Sequence, residues 1–298
     1  MSNIELYSLN NGVTELSPSP SAVEKELQNL IEKNMQLFFG VRFLKSEFSI
    51  TNGRIDSLGI DENNCPVIFE YKRSISENVI NQGLFYLDWL LDHKADFKLL
   101  VMEVLGAKEA NEIDWGLPCV ICIASDFTKY DEHAVNQMQR NIKLVRYKKF
   151  SKDYILFESL NAPKVKPIFS GSENKKTKSK GDTKTFLDQL NNAPQELKSI
   201  YETIRDYILS MGDDIMENQL KLYVAFKKTK NIICAEIYTK KIYLHLRLNP
   251  DDVQPVEGIT KDVREIGHWG TGDLEIVIRS MKDFEKIKPL IYKAYEEN

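Results

Sequence analysis

"GRIDSLGIDENNCPVIFEYKR", residues 53–73, contains two strand-like runs joined by the turn formers of "DENNCP". Asp56 lies in the first run, and Glu70 and Lys72 lie at the end of the second. Because residues two apart on a strand share a face, Glu70 and Lys72 are expected to point the same way, and a tight hairpin can bring Asp56 beside them. The stretch therefore predicts two carboxylates and an ammonium group at one edge of an otherwise apolar sheet.

These residue types fit phosphodiester hydrolysis. Hard cations such as Mg²⁺ take oxygen ligands and keep some of their waters, so Asp56 and Glu70 are candidate ligands for Mg²⁺ or Mn²⁺. A bound metal can polarise a phosphate oxygen and acidify a water, and Lys72 on the same face could hold that water or stabilise developing charge. A surface ion pair between Glu70 and Lys72 would read identically, so the residues alone leave both interpretations open.

The flanking sequence predicts the elements of an α/β domain. "AVEKELQNLIEKNMQLFF" repeats apolar residues at helical spacing, and "NVINQGLFYLDWLLDHK" predicts a second helix after the hairpin. Further segments predict one helix, Tyr130–Arg140, and the strands Phe43–Ile50, Arg54–Ile60, Val67–Lys72, Phe97–Val104, Cys119–Ala124, Ile142–Lys148 and Tyr154–Leu160. We therefore expect a sheet with helices on its faces.

With this element order, the chain resembles the PD-(D/E)XK nuclease superfamily. Its core runs helix, three strands, helix, strand, with one acid in the second strand and an acid-x-lysine in the third, which match Asp56, Glu70 and Lys72. "GRIDSLG", "VIFEYKR" and "NQGLFYLDWL" are most similar to NucS-type and RecB-type nucleases. The resemblance covers about residues 20 to 105 and implies a restriction-endonuclease-like mixed sheet flanked by helices. Ile55 stands where the superfamily name has proline.

The resemblance also implies further site residues. A glutamine on the helix after the lysine often joins such sites, and Gln82 matches it, with Tyr86 one helical turn later as a nucleic-acid contact. The opening-helix glutamate of these enzymes matches Glu24, with Glu26 as the alternative. The catalytic set implied by the match is therefore Asp56, Glu70, Lys72, Gln82 and Glu24.

The function that follows is a divalent-metal-dependent nuclease acting on DNA, in repair or defence. The alternative is a catalytically inactive nuclease fold that serves as a nucleic-acid-binding or assembly module. Arg42, Arg54 and Arg73 flank the site in sequence and are candidate contacts to the phosphate backbone. DNA is favoured over RNA as the partner, and the oligomeric state, a homodimer included, stays open.

Length and composition divide the chain. At 298 residues it suits two domains, each large enough to bury a core. The stretch "SGSENKKTKSKGDTK", residues 170–184, contains no apolar residue and predicts a flexible linker. We expect a nuclease-like domain over residues 1–165, a Lys/Ser/Gly-rich linker over 166–185, and a smaller α+β domain over 186–298.

The second domain resembles a small bacterial C-terminal domain of unassigned function, on the basis of "KLYVAFKKTKN", "IGHWGTGDLEIVI" and "LIYKAYEE". Its glycine-rich stretch is followed by a predicted strand rather than a helix, which argues against a phosphate loop. We expect a tight loop that presents His268 and Trp269, with contact to a ligand or base as the less favoured reading. His245, between Leu244 and Leu246, is expected to be a sheet residue.

Charge and cysteine usage set the remaining expectations. The formal net charge of -4 argues against binding nucleic acid by bulk charge but allows a local basic groove. The N-terminus lacks the basic residues followed by an apolar run that mark a secretory signal, and no apolar stretch is long enough to span a bilayer. This pattern predicts a cytoplasmic protein with no membrane partner. Cys119 and Cys122 have the spacing of half a zinc site, but on a strand they would face opposite sides, so we expect buried thiols.

Overall fold

The computed structural model describes residues 4–10, 12–19, 23–72, 79–151, 153–163 and 184–298. The chain divides into two compact units. The first unit comprises Met1–Ile60, Pro66–Asn111 and Cys119–Pro163, and the second comprises Asp61–Cys65, Glu112–Pro118 and Lys164–Asn298. The predicted linker lies outside the described residues except for Lys184 and Thr185, so the predicted domain boundaries stay a prediction.

The first unit is built from alternating strands and helices. Its helices are α1 (Glu24–Phe39), α2 (Val79–Asp92), α3 (Lys94–Leu105), α4 (Ala107–Asn111) and α5 (Lys129–Gln137). Its strands are β1 (Tyr7–Ser8), β2 (Thr14–Glu15), β3 (Val41–Ile50), β4 (Gly53–Asp61), β5 (Pro66–Tyr71), β6 (Cys119–Ala124), β7 (Asn141–Phe150) and β8 (Tyr154–Ser159).

The main sheet of this unit has the strand order β3-β4-β5-β6-β7-β8. β4 and β5 run antiparallel, β5, β6 and β7 run parallel, and β8 returns antiparallel to β7. Parallel neighbours need long crossovers, which α2 to α4 supply between β5 and β6 and α5 supplies between β6 and β7. The predicted fold class, a mixed sheet flanked by helices, is confirmed.

Alternation along β5 separates a core face from a site face. Phe69 and Tyr71 belong to the apolar core formed with α1, whose Leu27 and Ile31 lie one helical turn apart. Since side chains alternate along a strand, Glu70 points to the opposite face. That face is covered by α2, which contacts both β5 and β6.

The expected strand over Phe97–Val104 is wrong, because this segment lies within α3. Phe97, Leu100 and Val101 are buried, at the spacing of one helix face, while Leu99 and Met102 remain exposed. A short apolar run gives no periodicity that separates a buried strand from a helix, and this run contains no glycine or proline to break a helix.

The second unit is an antiparallel sheet covered by helices. Its helices are α6 (Phe186–Asn192), α7 (Gln195–Ser210), α8 (Met281–Glu297) and a short 3₁₀ helix, Pro250–Asp252. Its strands are β9 (Met216–Gln219), β10 (Val224–Lys227), β11 (Asn231–Ile237), β12 (Ile242–Leu246), β13 (Thr260–Asp262) and β14 (Leu274–Ile278). They lie in the order β13-β14-β12-β11-β10-β9 with antiparallel neighbours, which agrees with the expected α+β plan.

One face of the second sheet forms the core. Phe226, Ile233 and Leu244 pack in a single cluster with Ile204 of α7 and Ile287 of α8. The alternate residues of the same strands point away from these helices.

Among the described residues, no helix combines the length and the apolar character that crossing a membrane requires.

All four cysteines of the chain are buried free thiols. On β6, Cys119 joins the core beneath α1, whereas the Cys122 sulfur lies 3.9 Å from the Val79 carbonyl oxygen at the start of α2. The two thiols therefore face opposite sides of the sheet, as predicted, and do not form half of a zinc site.

Candidate active site

The carboxylates of Asp56 and Glu70 meet where the pairing of β4 with β5 ends. Toward the N-terminal end of β4, Ser57 is the last residue in register with β5, and it lies opposite Phe69. Beyond this pair, the Asp56 amide donates to Glu70 Oε1 at 3.3 Å, and the Tyr71 amide donates to Asp56 Oδ2 at 3.0 Å. Each carboxylate thus accepts a backbone amide from the other strand, and this exchange fixes the two side chains side by side.

Burial makes this carboxylate pair electrostatically unfavourable without a cation. Glu70 is 1% exposed, and desolvation, followed by the charge of Asp56, raises its pKa to about 9. Desolvation also raises the pKa of Asp56, although the Tyr71 amide and the Lys72 charge oppose that rise. A divalent cation would favour the charged form of both groups.

Lys72 follows directly on β5 at the same edge of the sheet. Its amide donates to the Ile123 carbonyl oxygen at 2.9 Å, which extends the contact of β5 with β6 by one residue. Its Nζ lies 3.9 Å from Oε1 of Glu24, the first residue of α1. Glu24, which the sequence placed among the candidate residues, therefore reaches the site through Lys72.

Gln82 and Tyr86 lie one turn apart on α2. The Gln82 Oε1 atom is buried and has no hydrogen-bond partner among the described residues. Tyr86 packs against the start of β4, where a Cβ on Gly53 would come within 2.8 Å of its ring, so only glycine fits. Burial raises the pKa of Tyr86, and the charges of Glu70 and Asp56 add to the rise, which indicates a phenol close to the carboxylates.

The three candidate arginines differ in position. Arg54 is exposed beside Asp56 in sequence, and its Nη1 lies 2.8 Å from Glu47 Oε2. Arg42 is half-buried on β3, and its carbonyl oxygen adjoins Gly59, three residues along β4 from Asp56. Arg73 lies outside the described residues.

Sequence reasoning missed a polar stripe on α1 that supports β4. Gln28 is buried, and its Nε2 donates to the Asp56 carbonyl oxygen at 2.9 Å and to Glu32 Oε1 at 2.9 Å. Glu32 in turn accepts from the Ser57 hydroxyl at 2.6 Å. The signal was the spacing of Glu24, Gln28 and Glu32, four residues apart beside the apolar face of the helix.

The oxygen atoms gathered at the site suit a hard cation. Asp56 and Glu70 offer carboxylate oxygens, and Gln82 offers an unpartnered amide oxygen. Within the described residues, no three His, Cys, Asp or Glu side chains group closely enough to hold a metal ion by themselves. Two carboxylates with water completing the shell is the ligand set that Mg²⁺ prefers, so the residues fit the predicted metal.

Two protein families match separate parts of the chain. Residues 23–112 match the "Endonuclease NucS C-terminal domain" family, and residues 187–298 match "Domain of unknown function (DUF5655)". The nuclease-type resemblance and the resemblance of the second domain to one of unassigned function are both confirmed.

A curated relative matches nearly the whole chain. This Haemophilus influenzae protein, described as "Uncharacterized protein", is 33% identical over 292 residues, which is 96% of this chain and 97% of the relative.

Similar solved structures are more distant. "Structure of EndoMS-dsDNA2 complex" is 19% identical with a TM-score of 0.29, over 45% of this chain and 47% of that one. "Crystal structure of a repair endonuclease from Pyrococcus abyssi" is 16% identical with a TM-score of 0.29, over 48% of this chain and 61% of that one. The matches thus span about half of this chain.

Proposed function

We propose that this chain, which belongs to one family with its Haemophilus influenzae relative and carries a NucS-type endonuclease domain, is a divalent-metal-dependent nuclease acting on DNA. The observation that carries the proposal is the Asp56–Glu70 pair, in which Glu70 is buried, Asp56 is half-buried and reciprocal amide hydrogen bonds hold both carboxylates within the matched residues. DNA repair or defence is the role that we expect for such an activity.

Asp56 and Glu70 are proposed to hold Mg²⁺ or Mn²⁺, and the carbonyl of Tyr71 is a further candidate ligand. When bound, the metal would polarise a phosphate oxygen and acidify a water. The carboxylates are suited to this because their strands fix them before any ligand arrives, so little reorganisation is required.

The remaining residues have supporting roles in this proposal. The Lys72 ammonium stabilises charge that develops on the phosphate, and Glu24 orients that ammonium through the 3.9 Å contact. The unpartnered Gln82 oxygen would accept a hydrogen bond from the attacking water or serve as a further ligand of a bound metal. Arg54, Tyr86, Arg42 and Arg73 are the proposed contacts to the DNA backbone.

A cleavage panel tests this function. The full chain is incubated with duplex, single-stranded and branched DNA in Mg²⁺ or Mn²⁺, beside Lys72→Ala and the matched control Lys108→Ala, an exposed lysine on α4. We expect Lys72→Ala to cut at least about 10²-fold more slowly and the control to cut normally. Absence of cleavage of every substrate, or equal rates for Lys72→Ala and the wild type, would contradict the enzymatic proposal.

A second candidate is a nucleic-acid-binding or assembly module that kept the fold without the chemistry. The contact between Lys72 and Glu24 favours it, because an ammonium engaged in an ion pair can serve structure alone. This candidate expects salt-sensitive DNA binding that survives Lys72→Ala, with no metal-dependent product. The cytoplasmic location, the preference for DNA over RNA and a homodimer stay predictions.

A further inference from the structure

The second unit contains a pocket of about 310 Å³ at the end of its sheet. It opens where β11 ends and where the chain enters β10, beside α6. Its size falls at the lower end of the range for small-ligand sites. The residues that line it include Lys184, Gln189, Asn192, Leu222, Tyr238 and Trp269.

Trp269 is held in place although its ring is open to solvent. The preceding residue, His268, stacks on buried His245 with ring centroids 4.1 Å apart and ring planes 11° apart. The following residue, Gly270, has φ 77° and lies so close to Cys234 that a Cβ added to Gly270 would come within 2.6 Å of the Cys234 Cβ. Trp269 itself stays 45% exposed, so the loop fixes its backbone and leaves its ring available.

Tyr238 forms a second aromatic wall that is also fixed. Its hydroxyl donates to Glu236 Oε2 at 2.8 Å, and its ring meets that of Tyr243 edge-on at 5.5 Å. It remains 38% exposed. The accessible Trp269 ring on a fixed backbone and the anchored Tyr238 ring give a planar ligand two aromatic surfaces to stack on at one pocket.

The polar side of the pocket combines amides with a cation. The Gln189 amide nitrogen donates to the Lys184 carbonyl oxygen at 3.3 Å, which leaves Gln189 Oε1 buried and without a hydrogen-bond partner among the described residues. Asn192 brings a second amide one turn away on α6. Lys184 supplies a positive charge at the rim.

We propose that this pocket binds an unpaired base of single-stranded DNA. The base stacks on Trp269 and Tyr238, the amides of Gln189 and Asn192 bond its polar edge, and Lys184 meets an adjoining phosphate. Each base carries N–H donors or ring acceptors that an amide can pair with, which an apolar ligand lacks. This binding does not depend on whether the first unit cleaves DNA.

The test uses the full chain in EDTA, so that no metal-dependent cleavage interferes. Binding of a labelled single-stranded oligonucleotide is measured by fluorescence anisotropy for the wild type, Trp269→Ala, Trp269→Phe and Tyr292→Ala. Tyr292 is the matched control because it is an aromatic residue of the same unit, 48% exposed on α8. Thermal melting of each variant checks that it is folded.

We expect Trp269→Ala to weaken single-strand binding about 10-fold or more, Trp269→Phe to retain most of the affinity, and Tyr292→Ala to change nothing. Lys184→Gln should lower the slope of log affinity against log salt by about 0.7, the share of one phosphate of a single strand. Single-strand binding by Trp269→Ala equal to that of the wild type would overturn the proposal.

Two further arms identify the source of the base. A blunt duplex of the same sequence should bind equally well to the wild type and to Trp269→Ala, because its bases are stacked internally. Free deoxynucleoside monophosphates should compete only at concentrations far above that of the oligonucleotide. If mononucleotides bind in a Trp269-dependent manner while single strands do not, the pocket is a free-nucleotide site and the DNA-strand proposal is wrong.

Discussion

Glu70 in the first sheet and His245 in the second are ionisable side chains buried to the same extent, each 1% exposed. Burial disfavours the charged form of both, but in opposite directions on the pH scale. It raises the pKa of Glu70 to about 9, with the Asp56 charge adding to the rise, and lowers the pKa of His245 to about 3, with His268 adding to the fall. At neutral pH each is therefore uncharged in the absence of a ligand.

The surroundings of the two groups differ in what they offer a ligand. Glu70 adjoins a second carboxylate, and both accept backbone amides at the open end of a strand pair. His245 has carboxylate oxygens of Glu236 and Glu275 at 3.6 and 3.5 Å, and neither ring nitrogen makes a hydrogen bond among the described residues. A perturbed pKa therefore does not mark a site by itself, whereas paired oxygen donors at a sheet edge do.

Removing the two acids, Asp56 and Glu70, should have the strongest consequence for activity. Asp56→Asn and Glu70→Gln each keep the shape of the side chain but lose the anionic charge that a metal requires, so we expect DNA cleavage to fall at least about 10²-fold in each. Glu275→Gln, which removes a carboxylate beside His245, should cut at the wild-type rate. The measurement is the initial rate on the best substrate of the cleavage panel. Equal losses in all three variants would show that the effect is general destabilisation.

Metal-linked stability separates the two buried groups without relying on activity. A ligand that binds only the folded state adds about 2.7 kcal/mol at 100 times its dissociation constant, so Mn²⁺ should raise the melting temperature of the wild type. Glu70→Gln should lose this increase, and Glu275→Gln should retain it. Affinity should rise with pH, since Glu70 must release its proton to bind. An unchanged Mn²⁺ effect in Glu70→Gln would exclude Glu70 as a ligand.

The pH dependence of the metal-free protein tests the raised pKa of Glu70. Its folded pKa of about 9 lies above the ordinary 4.5, so between these values the folded state holds a proton that the unfolded state releases. Stability from this group is present below about pH 4.5 and is lost as the pH rises toward 9. In EDTA, the stability of Glu70→Gln relative to the wild type should therefore rise by on the order of 4 kcal/mol between pH 5 and pH 8. Urea unfolding at both pH values measures the stability difference between the variant and the wild type, and a difference that does not change with pH would contradict the raised pKa of Glu70.

Much of the fold was predictable because local signals agreed. The turn formers of residues 61–66, the alternation along β5 and the helical spacing of α1 each pointed to the observed element. α3 was mispredicted because Phe97–Val104 is apolar on more than one side, with Leu99 exposed in the structure. Periodicity fails where the polar face that defines a period is missing.

The candidate site was predictable in its residues and not in its support. Asp56, Glu70 and Lys72 follow from strand alternation, whereas the bond from Gln28 to the Asp56 carbonyl oxygen depends on how α1 crosses the sheet. The stack of His268 on His245 likewise joins a loop to a strand that lies far from it in sequence. Contacts of this kind depend on packing between elements, on which a single sequence carries no direct signal.

His245 should change stability only modestly with pH. Its folded pKa of about 3 lies below the ordinary 6.5, so between these values the unfolded state binds a proton that the folded state does not. Stability from this group is full above about pH 6.5 and is lost as the pH falls, by at most about 1.4 kcal/mol per pH unit. The groups facing its ring are Glu236 on β11, Glu275 on β14, His268 in the loop and Tyr243 stacked on its own strand.

His245→Phe keeps a flat ring for the stack and removes the titration. It should match the wild type within about 1 kcal/mol at pH 7.5 and exceed it by on the order of 1–2 kcal/mol at pH 5, as measured by urea unfolding. His133→Phe, on the exposed side of α5, is the matched control for replacing a histidine by phenylalanine. If acidification instead stabilises the wild type relative to His245→Phe, Glu236 and Glu275 hold a proton on the imidazole. His245 would then differ from Glu70, because its neighbours would favour its charged form whereas Asp56 disfavours that of Glu70.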